Sequence, residues 1–157
     1  MNALEILTNE LVGKFIFRFS IGDTWDLFIG DYCFVAQEII SEDEKLLNQW
    51  YKINYASYLN CVDKTDISKS TIVAAHLRKE IIGIKLDELC NLTIEFEQDS
   101  ALLVPTNVEI VDWQWCLNKT GKDPYMDFRV ACFSAGEIEV NDEIDNTFNV
   151  NPYKSIL

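Results

Sequence analysis

The chain lacks most of the signatures that announce an enzyme. Its 157 residues hold a single histidine, His76, and no CxxC pair, so paired zinc-ligand spacing is absent. The six glycines, at 13, 22, 30, 83, 121 and 136, are isolated, which excludes a phosphate-cradling loop and a dinucleotide fingerprint. With only three prolines and 48% hydrophobic residues, the chain fits neither a low-complexity polymer nor a disordered segment. No uncharged apolar run reaches the roughly 18 residues of a membrane helix; Arg18, Asp26 and Glu38 interrupt the longest ones. Basic residues are scarce too. Thirteen lysines and arginines against 26 acids leave a formal charge of −13, which disfavours nucleic acid and anionic membrane as partners and favours a basic one.

What is present describes a cytoplasmic protein with a real core. The opening Met1–Leu7 is acidic where a secretory leader is basic. The odd set Cys33, Cys61, Cys90, Cys116 and Cys132 lies mostly within apolar patterns and reads as reduced core thiols. Leu7–Gly13 and Leu77–Gly83 share the pattern Leu-x-x-Glu-aliphatic-aliphatic-Gly, and Trp25–Ile29 with Asp31 is answered by Leu92–Phe96 with Asp99. The expected fold is α+β: two similar halves, about 1–53 and 70–140, each a short helix followed by an antiparallel meander, packed as one compact domain. Residues 54–69 would connect the halves, and 141–157 would form a polar tail.

Alternation in 15–21 sets Phe15, Phe17, Phe19 and Ile21 on one face, with strands to follow at Trp25–Ile29 and Tyr32–Ile40. Ser41 and Glu44 form a capping-box pattern that predicts a helix from Glu42, with Leu46, Leu47, Trp50 and Tyr51 as its buried stripe. Ser68 or Ser70 would cap a second helix carrying Val73, Leu77 and Ile81. Strands are expected near Lys85–Leu89, Leu92–Glu97 and Ala101–Val104, closed by Pro105. Glu109–Leu117 and Tyr125–Phe133 read as a hairpin extending the second half, with an edge strand at Glu137–Val140.

No residue set reads as catalytic, and no metal or cofactor is expected. His76 reads as structural. Asn141–Asn146 resembles a calcium loop in composition only, since its sixth position lacks glycine. Trp113 and Trp115 would share one strand face, as core packing or as an interface anchor. The charge is uneven: residues 76–157 hold 15 acids against 7 bases, and Glu137, Glu139, Asp142, Glu143 and Asp145 fall together. These five could steer a cationic partner, with Trp113 and Tyr125 as anchors.

On the paired Leu-x-x-Glu segments, the strand–turn–Asp–strand units, and Val111–Trp115 with Tyr125–Phe133, the chain resembles small acidic bacterial immunity proteins of contact-dependent and other polymorphic toxin systems. The resemblance implies a non-enzymatic protein that binds one cognate toxin domain, often a nuclease, and blocks its active site or substrate groove. A small-ligand module with a cavity between the halves, a hydrolase using paired carboxylates, and a structural module joined through a strand edge are the alternatives.

Overall fold

A computed structural model describes residues 1–60, 64–109, 111–120, 123 and 125–141. Helix α1 (Ala3–Leu11) starts with a capping box: the Asn2 side chain accepts from the Glu5 N–H at 2.9 Å, and Glu5 accepts from the Asn2 N–H at 3.0 Å. Its buried stripe is Ala3, Ile6, Leu7 and Leu11, and Gly13 at φ +82° turns the chain out of it. Three strands follow as an antiparallel meander, β1 (Ile16–Ile21), β2 (Trp25–Ile29) and β3 (Tyr32–Ala36). Helix α2 (Glu44–Asn54), a short 3-10 turn (Ala56–Leu59) and helix α3 (Lys64–His76) come next. A second meander, β4 (Ile81–Leu86), β5 (Leu92–Phe96) and β6 (Ser100–Val104), precedes β7 (Trp115–Lys119), β8 (Phe128–Ser134) and β9 (Glu137–Val140).

The fold is α+β, with a six-stranded sheet ordered β1-β2-β3-β7-β8-β9 and a three-stranded sheet β4-β5-β6. Both contribute alternate residues to one interior. Leu27, Ile29, Phe34, Trp115 and Val130 from the first meet Ile81, Ile94, Phe96, Leu102 and Val104 from the second, with α1 and α3 adding Leu7, Leu11 and Val73. The sheets also touch through backbone pairs at Phe15–Glu80 and Ile40–Leu103. The Gly13 N–H donates to the Ile81 carbonyl at 2.8 Å, and the Arg78 N–H donates to the Ile16 carbonyl at 3.0 Å.

Several expectations are corrected. The β7–β8 hairpin joins β3 of the first meander and does not extend the second. The outer side of β6 is partly taken by Ile40, and Pro105 lacks an N–H, so the chain leaves that sheet and crosses to β3. Leu7–Gly13 lies on α1 and its closing turn, whereas Leu77–Gly83 spans the turn after α3 and the start of β4, so the shared pattern occupies different elements. Ile81 is therefore a strand residue. Ser68 and Ser70 lie inside α3, and β4 begins before Lys85.

The face predicted for Phe15, Phe17, Phe19 and Ile21 is broken by a bulge between Ile16 and Arg18. Ile16 is buried, Phe19 packs against the core, and Phe15, Phe17 and Ile21 are exposed. One extra residue shifts the inward parity, so Ile16 and Phe19, three apart, share the interior. β4 carries the same irregularity between Ile81 and Gly83, with Ile81 and Ile84 inward and Ile82 exposed.

Candidate functional site

Glu137 and Glu139 lie on β9, the edge strand of the large sheet among the described residues, and both are exposed. Their neighbours Ile138 and Val140 pack on the main core, so strand alternation turns the glutamates to the opposite, outer face. Asp142, Glu143 and Asp145 lie outside the described residues. Tyr125 is exposed and sits 5.8 Å, ring to ring, from Trp113.

Trp113 is only 2% exposed and cannot serve as the exposed anchor expected of it. It precedes β7 and joins Cys33, Val35, Cys116, Phe128 and Ala131 in a second cluster on the outer face of the large sheet. Trp115 belongs to the main core, so the two indoles do not share a face. The Trp113 Nε1 is buried with no hydrogen-bond partner among the described residues. Trp113→Phe removes that orphan donor while keeping a ring, so the expected stability change in urea unfolding is within about 1 kcal/mol. A loss of about 3 kcal/mol or more contradicts this account.

The sequence reading missed a different surface. α2 buries none of its residues, contrary to the stripe expected at Leu46, Leu47, Trp50 and Tyr51. It packs mainly on α3 and the 3-10 turn. Leu47 reaches the core partly, and the Tyr51 hydroxyl pairs with Thr71 Oγ1 at 2.8 Å. Outward stand Ile53 at 81% exposure, Leu46 at 68%, Tyr58 at 56%, Trp50 at 49% and Tyr55 at 45%. Their rings are mutually packed, with Trp50 5.3 Å from Tyr55 and Tyr55 stacked on Tyr58 at 5.2 Å. Leu46, Leu47 and Trp50 also wall a cleft of about 430 Å³ against Thr71, Ile72 and Ala75 of α3. The spacing 51, 55, 58 continues a helical row past the end of α2, and was the signal available for this cluster.

The start of α2 is fixed from α3. Lys69, 7% exposed, extends its ammonium to the Ile39 carbonyl at 2.8 Å, to Glu44 at 2.9 Å and to Glu38 at 3.0 Å. Glu44 is thereby engaged with Lys69, and α2 begins after Asp43 without the Ser41–Glu44 capping box; Ser41 Oγ instead accepts from the Asp43 N–H at 3.3 Å.

Beside this anchor lies a cavity of about 570 Å³, walled by residues 40–43, by His76 and by β5–β6 residues including Thr93, Asp99, Ser100 and Leu103. His76 is 6% exposed, and its Nδ1 lies 2.7 Å from the Ile72 carbonyl. A carbonyl only accepts, so Nδ1 carries the proton. Burial lowers the imidazole below its ordinary value; the Ile72 bond and Asp43 oppose this, and Lys79 adds to it. The ring is thus held neutral, with Nε2 a buried acceptor that has no partner among the described residues.

Cys33, Cys116 and Cys132 are buried free thiols. Burial pushes Cys33 and Cys132 up to about 12 and raises Cys116 as well, which withholds the nucleophilic thiolate at neutral pH. Among the described residues no group of three or more His, Cys, Asp or Glu is placed to hold a metal ion, and no helix is long and apolar enough to cross a membrane. Comparison with family models, curated proteins and solved structures finds no match.

Proposed function

We propose that the chain is a cytoplasmic, non-enzymatic binding protein that docks a basic protein domain through its α2 face. Following the immunity-protein resemblance, that partner is a cognate toxin domain, in the first instance a nuclease, whose active site or substrate groove is occluded. The observation that carries this reading is the set of exposed, mutually packed rings of Trp50, Tyr55 and Tyr58, with Leu46 and Ile53 exposed on the same helix α2. Trp and Tyr with one wet face are the commonest binding anchors, and contiguous apolar patches mark interaction sites. The net charge of −13 adds attraction for a domain built to hold phosphate. Glu137 and Glu139 on β9, with Tyr125, supply a second acidic edge for long-range steering.

The chain is also read as two copies of one helix–meander unit, in a register different from the shared Leu-x-x-Glu pattern. Three observations support it: the matching bulges in β1 and β4, the left-handed backbone at Gly13 (φ +82°) and Arg78 (φ +65°), and the reciprocal bonds Gly13–Ile81 and Arg78–Ile16. Counterpart strands meet each other at Phe15–Glu80, as a pseudo-two-fold axis there requires.

The test is co-purification of the full chain with the domain encoded by the neighbouring upstream gene. The expected result is a stable complex, weakened about 30-fold or more by Trp50→Ala with Tyr55→Ala, as removal of hot-spot side chains does. No complex at micromolar concentration, or unchanged affinity in the double variant, overturns the proposal.

A further inference from the structure

The two margins of the six-stranded sheet differ in charge. Among the described residues β9 ends one side with two outward glutamates, and β1 ends the other. Beyond its bulge β1 runs Phe17, Arg18, Phe19, Ser20, Ile21, with neither acid nor proline in a chain that carries 26 acids. The direction of its backbone groups follows from its neighbours. β2 closes on β3 through the two-residue turn Gly30–Asp31, so Ile29, Leu27 and Trp25 bond β3, and Phe28 and Asp26 are left to bond β1. Their partners Arg18 and Ser20 are thereby taken. The Gly22 N–H, donating to the Thr24 carbonyl at 3.1 Å, keeps that parity. Phe19 and Ile21 therefore turn their N–H and C=O groups to the open side, where no backbone group bonds them among the described residues. On the same side the Ile16 carbonyl is taken by the Arg78 N–H, so the free margin is residues 17–21.

We propose that this margin pairs with the same margin of a second copy of the chain, antiparallel about a two-fold axis at Phe19. That register uses all of residues 17–21, sets Phe19 against Phe19 as a bonded pair, and places Arg18 opposite Ser20 of the second copy. Charge favours a second copy over an unrelated strand. Ser20 is paired with Asp26 of β2 on the outer face, so each Arg18 has an aspartate of the other molecule two strands away. That is about 10 Å between Cα atoms, within reach of an extended arginine passing over a serine. Arg18 lies 4.1 Å from the Phe28 ring and has no carboxylate in ion-pair range among the described residues. The Asp26 carboxylate accepts from Thr24 Oγ1 at 2.8 Å and has no cation in ion-pair range among those residues. The two-fold axis makes the Arg18–Asp26 pair twice, while Phe17 and Ile21, at 48% and 43% exposure, flank the ladder. Such a contact closes on itself, so assembly stops at two. The ladder is short and the dimer correspondingly weak. The inference is independent of docking at α2.

The full chain is followed by sedimentation velocity from micromolar to sub-millimolar concentration. The expected result is a monomer that becomes a dimer, with hydrogen exchange at the Phe19 and Ile21 amides slowed in the dimer. Arg18→Glu and Asp26→Lys, made separately, each weaken the dimer about tenfold or more, because like charges then face each other across the axis. Mixing the two variants in equal amounts restores it, since each then meets the opposite charge on the other; a folding defect in either would not be repaired by mixing. A chain that stays monomeric throughout overturns the proposal and leaves the margin to a strand of another protein. A dimer with unchanged exchange at Phe19 and Ile21, or variants that fail to recombine, overturns it as well. A dimer kept in Arg18→Glu but lost in Trp50→Ala with Tyr55→Ala places the contact on α2 and does the same.

Discussion

Trp115→Ala is expected to lower the unfolding free energy by about 3–5 kcal/mol, the usual cost of truncating a fully buried aromatic. Trp115 is 0% exposed, stacks on Phe34 at 5.8 Å and donates Nε1–H to the Cys90 carbonyl at 3.0 Å. The indole therefore fills the interior between the sheets and ties the large sheet to the β4–β5 turn. Trp115→Phe should fall between, since it restores much of the ring but leaves the Cys90 carbonyl without this donor. Urea unfolding of the three proteins gives the order directly. A stability loss near that of Trp113→Phe would show that the interior collapses around the missing ring. Against a typical total of about 5–15 kcal/mol, the expected loss brings a domain of this size close to unfolding.

Lys69→Met is the second large effect, expected at about 3 kcal/mol. The methionine keeps the stem but leaves Glu38 and Glu44 without their cation and the Ile39 carbonyl without a donor. Removing one member of a buried ionic group costs more than removing the whole group, because the survivors stay desolvated. Glu38 is about one-third exposed, which places the estimate at the low end of the range for such groups. Adding Glu38→Gln and Glu44→Gln to Lys69→Met should recover stability, since the stranded charges go with them. If the triple variant is less stable than Lys69→Met alone, the charge account is wrong. The single variant is also expected to loosen residues 38–44, which lead into α2 and of which 40–43 wall the His76 cavity.

Legibility in the sequence followed local physics. β2 and β5 were readable because their burial alternates cleanly over five residues and no bulge disturbs the period. Pro105 marked the end of β6 correctly, since proline cannot continue the ladder. β1 was misread at its faces because a bulge leaves no trace in a hydrophobic pattern; it changes which parity points inward. The capping box at Ser41 failed for a long-range reason, Glu44 being engaged by Lys69 from another helix. Trp113 and Trp115 looked like one face only while both were assigned to one strand, and β7 starts at Trp115.

Of the residues singled out in the sequence, Glu137, Glu139 and Tyr125 are exposed and Trp113 is enclosed. The Trp50–Tyr58 cluster was hidden because an amphipathic pattern tells which side chains share a helix face and not whether anything covers that face. His76 as a lone residue carried no signal. Its setting comes from the fold: the Ile72 carbonyl takes one ring nitrogen, and the other is buried with no hydrogen-bond partner among the described residues.

The shortness of β9 has a consequence for self-association. Among the described residues it ends the large sheet with four residues, two of them outward glutamates. A second molecule laying its own β9 alongside, antiparallel, would crowd four like-charged carboxylates along a ribbon too brief to compensate them with backbone bonds. Fibre-like growth through that margin is thereby discouraged, while the exposed rings of Trp50, Tyr55 and Tyr58 lie on a different surface.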